Sequence, residues 1–293
     1  MKHLSGVQRG VTLVELLVAM TIGLMIALVI TQAYLNGVRT QQTQNDMTRL
    51  QESARFAFQL VSDEIKKAGF RDTYKVSSTA HNFCSGTTTP GSQITGQNDL
   101  TTVSLLAGGT SAVLNNSDAI TVRYYGENNA AGNPDGAILD CTGNPVGLNT
   151  LVTETLYISA DPANSNEPTL YCDSSAAAAP VALIAGVESM QFLYGEDSDG
   201  DGIINYYAPF GSVALPTQID QIKSVMVSLV IRTPNAVGSG SNATVFNHFG
   251  STYAAGATAP AGDAGSVFTP PLDNRIRLQS GTVVALRNSA NCS

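Results

Sequence analysis

Residues 9–20 read RGVTLVELLVAM and open a run, 11–30 (VTLVELLVAMTIGLMIALVI), in which Glu15 is the one ionisable residue. About 20 residues at roughly 1.5 Å each span the ~30 Å hydrocarbon core of a bilayer as a helix. The stretch before it, MKHLSGVQRG, is short and carries Lys2 and Arg9. Basic residues ahead of a span keep that end cytoplasmic and send the remainder across. A secretory signal would place a small-residue cleavage site after the apolar run. Here the run passes into TQAYLNGVRTQQTQNDMTRLQ with no A-x-A step, so the apolar segment is expected to stay with the mature chain. A plain anchor leaves Glu15 unexplained, because a charge near the bilayer interior costs on the order of 2.5–3.5 kcal/mol on insertion scales. A positive group brought beside it by assembly would offset that cost.

The helical pattern continues beyond Ile30. Met47, Leu50, Ala54, Ala57, Val61, Ile65 and Ala68 recur at steps of three and four, one apolar face of an amphipathic helix. Gln51, Glu52, Arg55, Gln59, Asp63 and Lys66 occupy the other face, with Asp63 and Lys67 at pairing distance along it. Gly69 supplies a stop, and Lys66 and Lys67 suit the negative end of the dipole. A helix over 11–68 would be roughly 87 Å long. The first half is apolar all round and the second on one face, which predicts a membrane stem whose outer part packs on a globular head.

From residue 70 the texture changes to short apolar or alternating runs between Gly, Asn, Ser and Pro. Strands are predicted at Thr102–Leu106, Ala119–Tyr125, Leu151–Ile158, Gly186–Tyr194, Ser224–Thr233 and Thr282–Leu286. Segments such as NNAAGNPDG and GSGSN are turns or loops. The stretch 234–271 is rich in Gly, Ala, Ser and Thr and reads as an irregular, mobile surface loop. No internal repeat appears, and one α+β head domain is the simplest account.

Composition narrows the function. The formal charge is −8, and no Lys/Arg cluster lies beyond the N-terminal third, which argues against a nucleic-acid partner. Charged residues make up only 13%, which suits an exported protein. The cysteines, Cys84, Cys141, Cys172 and Cys292, include no CxxC pair, so an exported chain is expected to join them as two disulfides with three possible connectivities. Cys141 and Cys172 lie in neighbouring strand-turn segments, which favours that bridge and leaves Cys84 with Cys292. No G-x-S-x-G, H-E-x-x-H or P-loop is present. His81 and His248 stand alone in polar stretches and are read as surface histidines. Catalysis has no support.

The chemistry in the head concentrates in DSDGDGIIN, 197–205. Asp197, Asp199 and Asp201 alternate, with Gly202 at the turn, matching positions 1, 3, 5 and 6 of an EF-hand loop. Ile203 would offer its carbonyl at position 7 and Asn205 its side chain at position 9. Position 12 is Ala208, so a bidentate ligand would have to come from Glu196 or Asp220, or be lacking. A structural calcium ion is the expected cofactor, with no organic one.

GVTLVEL after a short basic leader resembles the processing site of type IV pilins and of type II secretion pseudopilins. The resemblance implies cleavage by a prepilin peptidase between Gly10 and Val11, N-methylation of Val11, and a Glu15 that attracts the amine of a neighbouring subunit. Val11 stands where Phe is commoner. RLQESARFAFQLVSDEIKKAGF (49–70), LDCTG (139–143), LYC (170–172), GVESMQFLYGEDSDGDG (186–202) and TVVALRN (282–288) together resemble the PilW type of minor pilin. That family implies a leader at 1–10, a transmembrane part at 11–35, an amphipathic continuation at 36–69, and a β-rich head at 70–293. The fold would be α+β and type IV pilin-like, a long N-terminal helix packed on an antiparallel sheet. It implies a non-catalytic assembly factor that primes the pilus at its tip and supports twitching motility and cell adhesion. Its partners would be other minor pilins, the major pilin, a tip-associated adhesin, the prepilin peptidase and the inner-membrane assembly platform. The chain would sit in the inner membrane with its head in the periplasm, then in the extracellular pilus. A minor pseudopilin of type II secretion and a pilus-borne adhesin are the alternatives.

Overall fold

The structure, a computed structural model, describes residues 10–75, 83, 93–213, 221–237 and 244–288. Two units divide the chain, 1–48 and 49–293. One helix, α1 (Leu13–Lys67), contributes to both. Its sequence holds no proline, and its start is fixed by a reciprocal cap between Thr12 and Glu15.

In the first unit the apolar residues of α1 face outward from the chain. Leu13, Leu24, Met25 and Ile30 are 60–75% exposed. The best window has a mean hydropathy of 2.7 with no share buried. A helix satisfies its own backbone hydrogen bonds, so such a segment is compatible with lipid along its whole circumference.

In the second unit the predicted apolar face of α1 is the buried one: Leu50, Ala54, Ala57, Val61 and Ile65 are at most 5% exposed. Met47 departs from the stripe at 38% exposure. Three stripe positions are alanine when Ala68 is included, which lets the helix backbone approach the sheets closely. Gly69 ends the helix at φ +73, where a Cβ would lie 2.4 Å from the Asn288 carbonyl. The expected Asp63–Lys67 pair is not made. Asp63 pairs with Lys66 at 3.1 Å, while Lys67 turns inward to Glu64 at 2.5 Å and toward Glu154 at 3.6 Å.

Two antiparallel sheets complete the core. The five-stranded sheet has β1 (Ile94–Gln97), β4 (Ala119–Tyr125), β5 (Leu151–Asp161), β6 (Glu167–Ser174) and β7 (Val181–Ala185) as neighbours in that order. The four-stranded sheet runs β13 (Arg277–Ala285), β10 (Ile222–Arg232), β8 (Val187–Glu196), β9 (Tyr206–Ala208). Two hairpin-like pairs are separate: β2 (Thr102–Ser104) with β3 (Thr110–Ala112), and β11 (Phe246–Asn247) with β12 (Val267–Phe268). The apolar stripe of α1 shares one core with Val122, Leu156 and Leu170 of the first sheet and Phe192, Val227 and Leu229 of the second. The head is α+β with antiparallel sheets, as expected, and its strands divide between two large sheets.

The described part of 234–271 corrects the expectation of a free surface loop. His248 is buried, and its Nδ1 and Nε2 each lie 2.9 Å from a hydroxyl, Ser228 on β10 and Ser189 on β8. Ala254, Phe268, Asp263 and Ser266 are buried as well. Gly265 fits where a Cβ would come within 2.1 Å of the Asn116 carbonyl. The polar His248 of this segment is matched by one serine on each of two neighbouring strands, so hydrophobicity alone did not mark the segment as packed.

Cys141 and Cys172 form a disulfide with Cα atoms 6.4 Å apart, tying the 139–145 turn to β6. Cys84, Cys292, His81 and Asp220 lie outside the described residues.

Candidate functional site

Gly10, Val11 and Glu15, the residues expected to serve processing and assembly, lie around the start of α1. Gly10 and Val11 precede the helix, and Val11 is 74% exposed. Glu15 sits one turn in. Its Oε2 accepts from the Thr12 amide at 3.0 Å and the Thr12 hydroxyl at 2.9 Å, while Thr12 Oγ1 accepts from the Glu15 amide at 3.3 Å. This is a capping box, and its T-x-x-E signature was legible in the sequence at 12–15. Glu15 thus has a local role: with Thr12 it satisfies two otherwise orphaned helix amides, its carboxylate that of Thr12 and the Thr12 hydroxyl its own. Both bonds to the carboxylate fall on Oε2, which leaves Oε1 for a group from outside the chain.

The acidic loop at 197–205 leaves β8 just after Glu196. Ligand oxygens of Asp197, Asp199 and Asp201 lie within 4.8 Å of one another. Asp197 is buried, and its two oxygens accept from the amides of Gly200 at 2.8 Å and Gly202 at 3.0 Å. Gly200 and Gly202 have φ of +78 and +87, the left-handed conformation that makes this tight loop possible. Three converging carboxylates suit a hard divalent cation. The other predicted ligands fit less well. Asn205 Oδ1 already accepts from the amide and hydroxyl of Ser198, at 2.7 and 2.9 Å. The Ile203 amide donates to Asp201 at 2.7 Å, a bond that does not involve the carbonyl predicted as the ligand. Glu196 is buried and accepts from the Tyr206 hydroxyl at 2.7 Å, and Ala208 on β9 brings no carboxylate.

Two further groups of buried acids were not read from the sequence, because their members are far apart along it. Asp99, Asp118 and Asp263 converge within 4.8 Å. Burial pushes the Asp118 carboxyl well up against the bonds it accepts from Phe192 and Asp99 amides, and burial likewise raises Asp263. Asp99 accepts from the amides of Ala264 and Gly265, so this group fastens 263–265 to the start of β4. Beneath α1, burial and then Glu154 push Glu64 up to about 9. Glu154 also accepts from the Cys141 amide at 2.6 Å. Both arrangements hold structural elements together.

A groove of about 460 Å³ lies beside Arg49, Glu52, Glu167, Arg232 and Arg275. Its inner charges are already matched: Arg232 bonds Glu167 at 2.7 Å and Glu188 at 2.9 Å, and Arg275 bonds Glu167 at 3.0 Å.

The family model described as Type IV Pilus-assembly protein W matches residues 155–288. The model described as Prokaryotic N-terminal methylation motif matches residues 6–31, which brackets Gly10, Val11 and Glu15. No curated protein matches the chain. Among solved structures it is similar to a type IV-like pilin from Thermus thermophilus, with 15% identity, a TM-score of 0.45, and coverage of 83% of this chain and 98% of that one.

Proposed function

We propose that the chain is a type IV minor pilin of the PilW type, a non-catalytic subunit that primes pilus assembly from the pilus tip. It is made as a precursor, cleaved between Gly10 and Val11 and methylated on Val11. Until assembly it is held in the inner membrane by 11–35, with the head in the periplasm. On assembly Glu15 receives the amine of a neighbouring subunit. The observation that carries this reading is the coincidence of an exposed apolar helix start, a glutamate one turn inside it, and a methylation-motif match over the same residues.

A charged carboxylate with one oxygen uncommitted at the end of a lipid-facing helix is unfavourable alone. It becomes favourable beside a cation in a low dielectric. That difference gives the subunit a reason to leave the bilayer for the fibre. In the head, the three aspartates of 197–201 hold a calcium ion that ties the loop to β8 and β9. Mature protein recovered from cells should begin at N-methylated Val11 by mass spectrometry. Deleting the gene should leave the major pilin in the membrane and remove surface pili, with type II secretion intact. A mature chain that keeps Met1, or a secretion defect with normal pili, would overturn the proposal.

A further inference from the structure

The four-stranded sheet ends on β13, and this edge is unlike the other edges of the two large sheets. β1 has four residues, β9 three, and β7 five beside a register break between Leu170 and Tyr171. β13 has nine residues in unbroken register with β10, from Arg277 opposite Arg232 to Ala285 opposite Ser224. Residues 278–285, LQSGTVVA, contain no charge and no proline. Proteins ordinarily blunt a long straight edge with charge, proline or a bulge, because its free N–H and C=O groups recruit another strand.

The hydrogen-bond frame says which groups are free. Thr233 N donates to Ile276 O, and Leu286 N donates to Lys223 O. In an antiparallel ladder this aims the even-numbered residues of β13 at β10. The backbone groups of Gln279, Gly281, Val283 and Ala285 therefore point away from the sheet. Among the described residues, no backbone bond from another element reaches these four. Gly281, Val283 and Ala285 are exposed, Val283 by 51%.

We propose that the outer edge of β13, Gln279 to Ala285, docks an extended segment of a different pilin protein of the same fibre as an added β-strand. Main-chain bonds to four outward residues supply the attachment. The occupant is uncharged along this register, because the edge offers no counter-charge and Val283 presents an apolar side chain. This deepens the assembly role above and rests on it.

The test uses the full-length chain in pilus-forming cells, with a photo-crosslinking residue at Ala285 and, separately, at Leu24 in the stem. Adducts at Ala285 should map by mass spectrometry to a peptide of another pilin. Val283→Pro removes a donor that the sheet does not use, and Val283→Lys keeps the donor but charges the edge. Each should lower the Ala285 adduct about tenfold, the loss expected for roughly one weakened contact, while the melting temperature of the head stays put. Stem adducts without Ala285 adducts, or Ala285 adducts only to a second copy or to a non-pilin, would overturn the edge assignment and leave the assembly role standing. Absence of both kinds of adduct would overturn the assembly role and the edge together.

Discussion

His248 offers a sharp test of how the 244–268 segment is held. The ring is 5% exposed and sits between the Ser189 and Ser228 hydroxyls. Burial lowers its pKa from 6.5 to about 3, against a smaller upward pull from Ser228. Below pH 6.5 the unfolded chain therefore binds a proton that the folded chain refuses, so stability falls as pH drops toward 3. The slope approaches about 1.4 kcal/mol per pH unit, and the loss between pH 7 and pH 5 is about 2 kcal/mol. Glu64, raised from 4.5 to about 9, acts with the opposite sign over the same range: the folded state binds its proton more readily, so this contribution grows as pH falls. The informative quantity is thus the difference between the wild type and His248→Gln. The variant should lose about 1 kcal/mol at pH 7 through imperfect bonding to the two serines. Its stability should then fall less than the wild type's on going to pH 5, by about 2 kcal/mol. Urea unfolding of the full chain in detergent, followed by near-ultraviolet dichroism of its 10 tyrosines, reads this without tryptophan interference. Parallel pH profiles for the two proteins would refute the buried, neutral histidine.

Three other outcomes are expected. Cys141→Ser with Cys172→Ser opens a loop of sequence separation 31 and should cost about 3–4 kcal/mol, seen as a melting temperature below the wild type's under non-reducing conditions. Gly265→Ala forces a Cβ to within 2.1 Å of the Asn116 carbonyl; it should destabilise the head by about 1–3 kcal/mol and open 244–268 to proteolysis. Calcium should raise the melting temperature of the wild type but not of a chain carrying Asp199→Asn and Asp201→Asn; no calorimetric heat and no shift in the wild type would remove the cation from the acidic loop.

Much of this fold was legible because its signals are local. The apolar run, the outer stripe from Leu50 to Ala68 and the stop at Gly69 all express a period of 3.6 within one element. Ala119–Tyr125 was bounded correctly because it alternates and is flanked by the turn residues Asp118 and Gly126. β6, with Pro168 near its start, did not read as a strand; it forms because β5 and β7 pair with both its sides. His248 was misread as a surface residue because its partners lie 20 and 59 positions away. Lys67 was misassigned for a related reason: helix spacing offered Asp63, but Glu154 from β5 adds a second attraction inward. The Thr12–Glu15 cap, in contrast, was present in the sequence, and attention to the membrane cost of Glu15 hid its local use.

That cap makes the decisive measurement clean. Glutamine at the third helical position serves a capping box as glutamate does, so Glu15→Gln removes the charge and keeps the helix start. The fraction of the protein in sheared surface fibres, relative to the membrane, is the quantity to compare. The account predicts that Glu15→Gln chains insert and are cleaved before Val11 normally, yet reach the fibre about tenfold less often or worse. Equal incorporation of wild type and variant would contradict it.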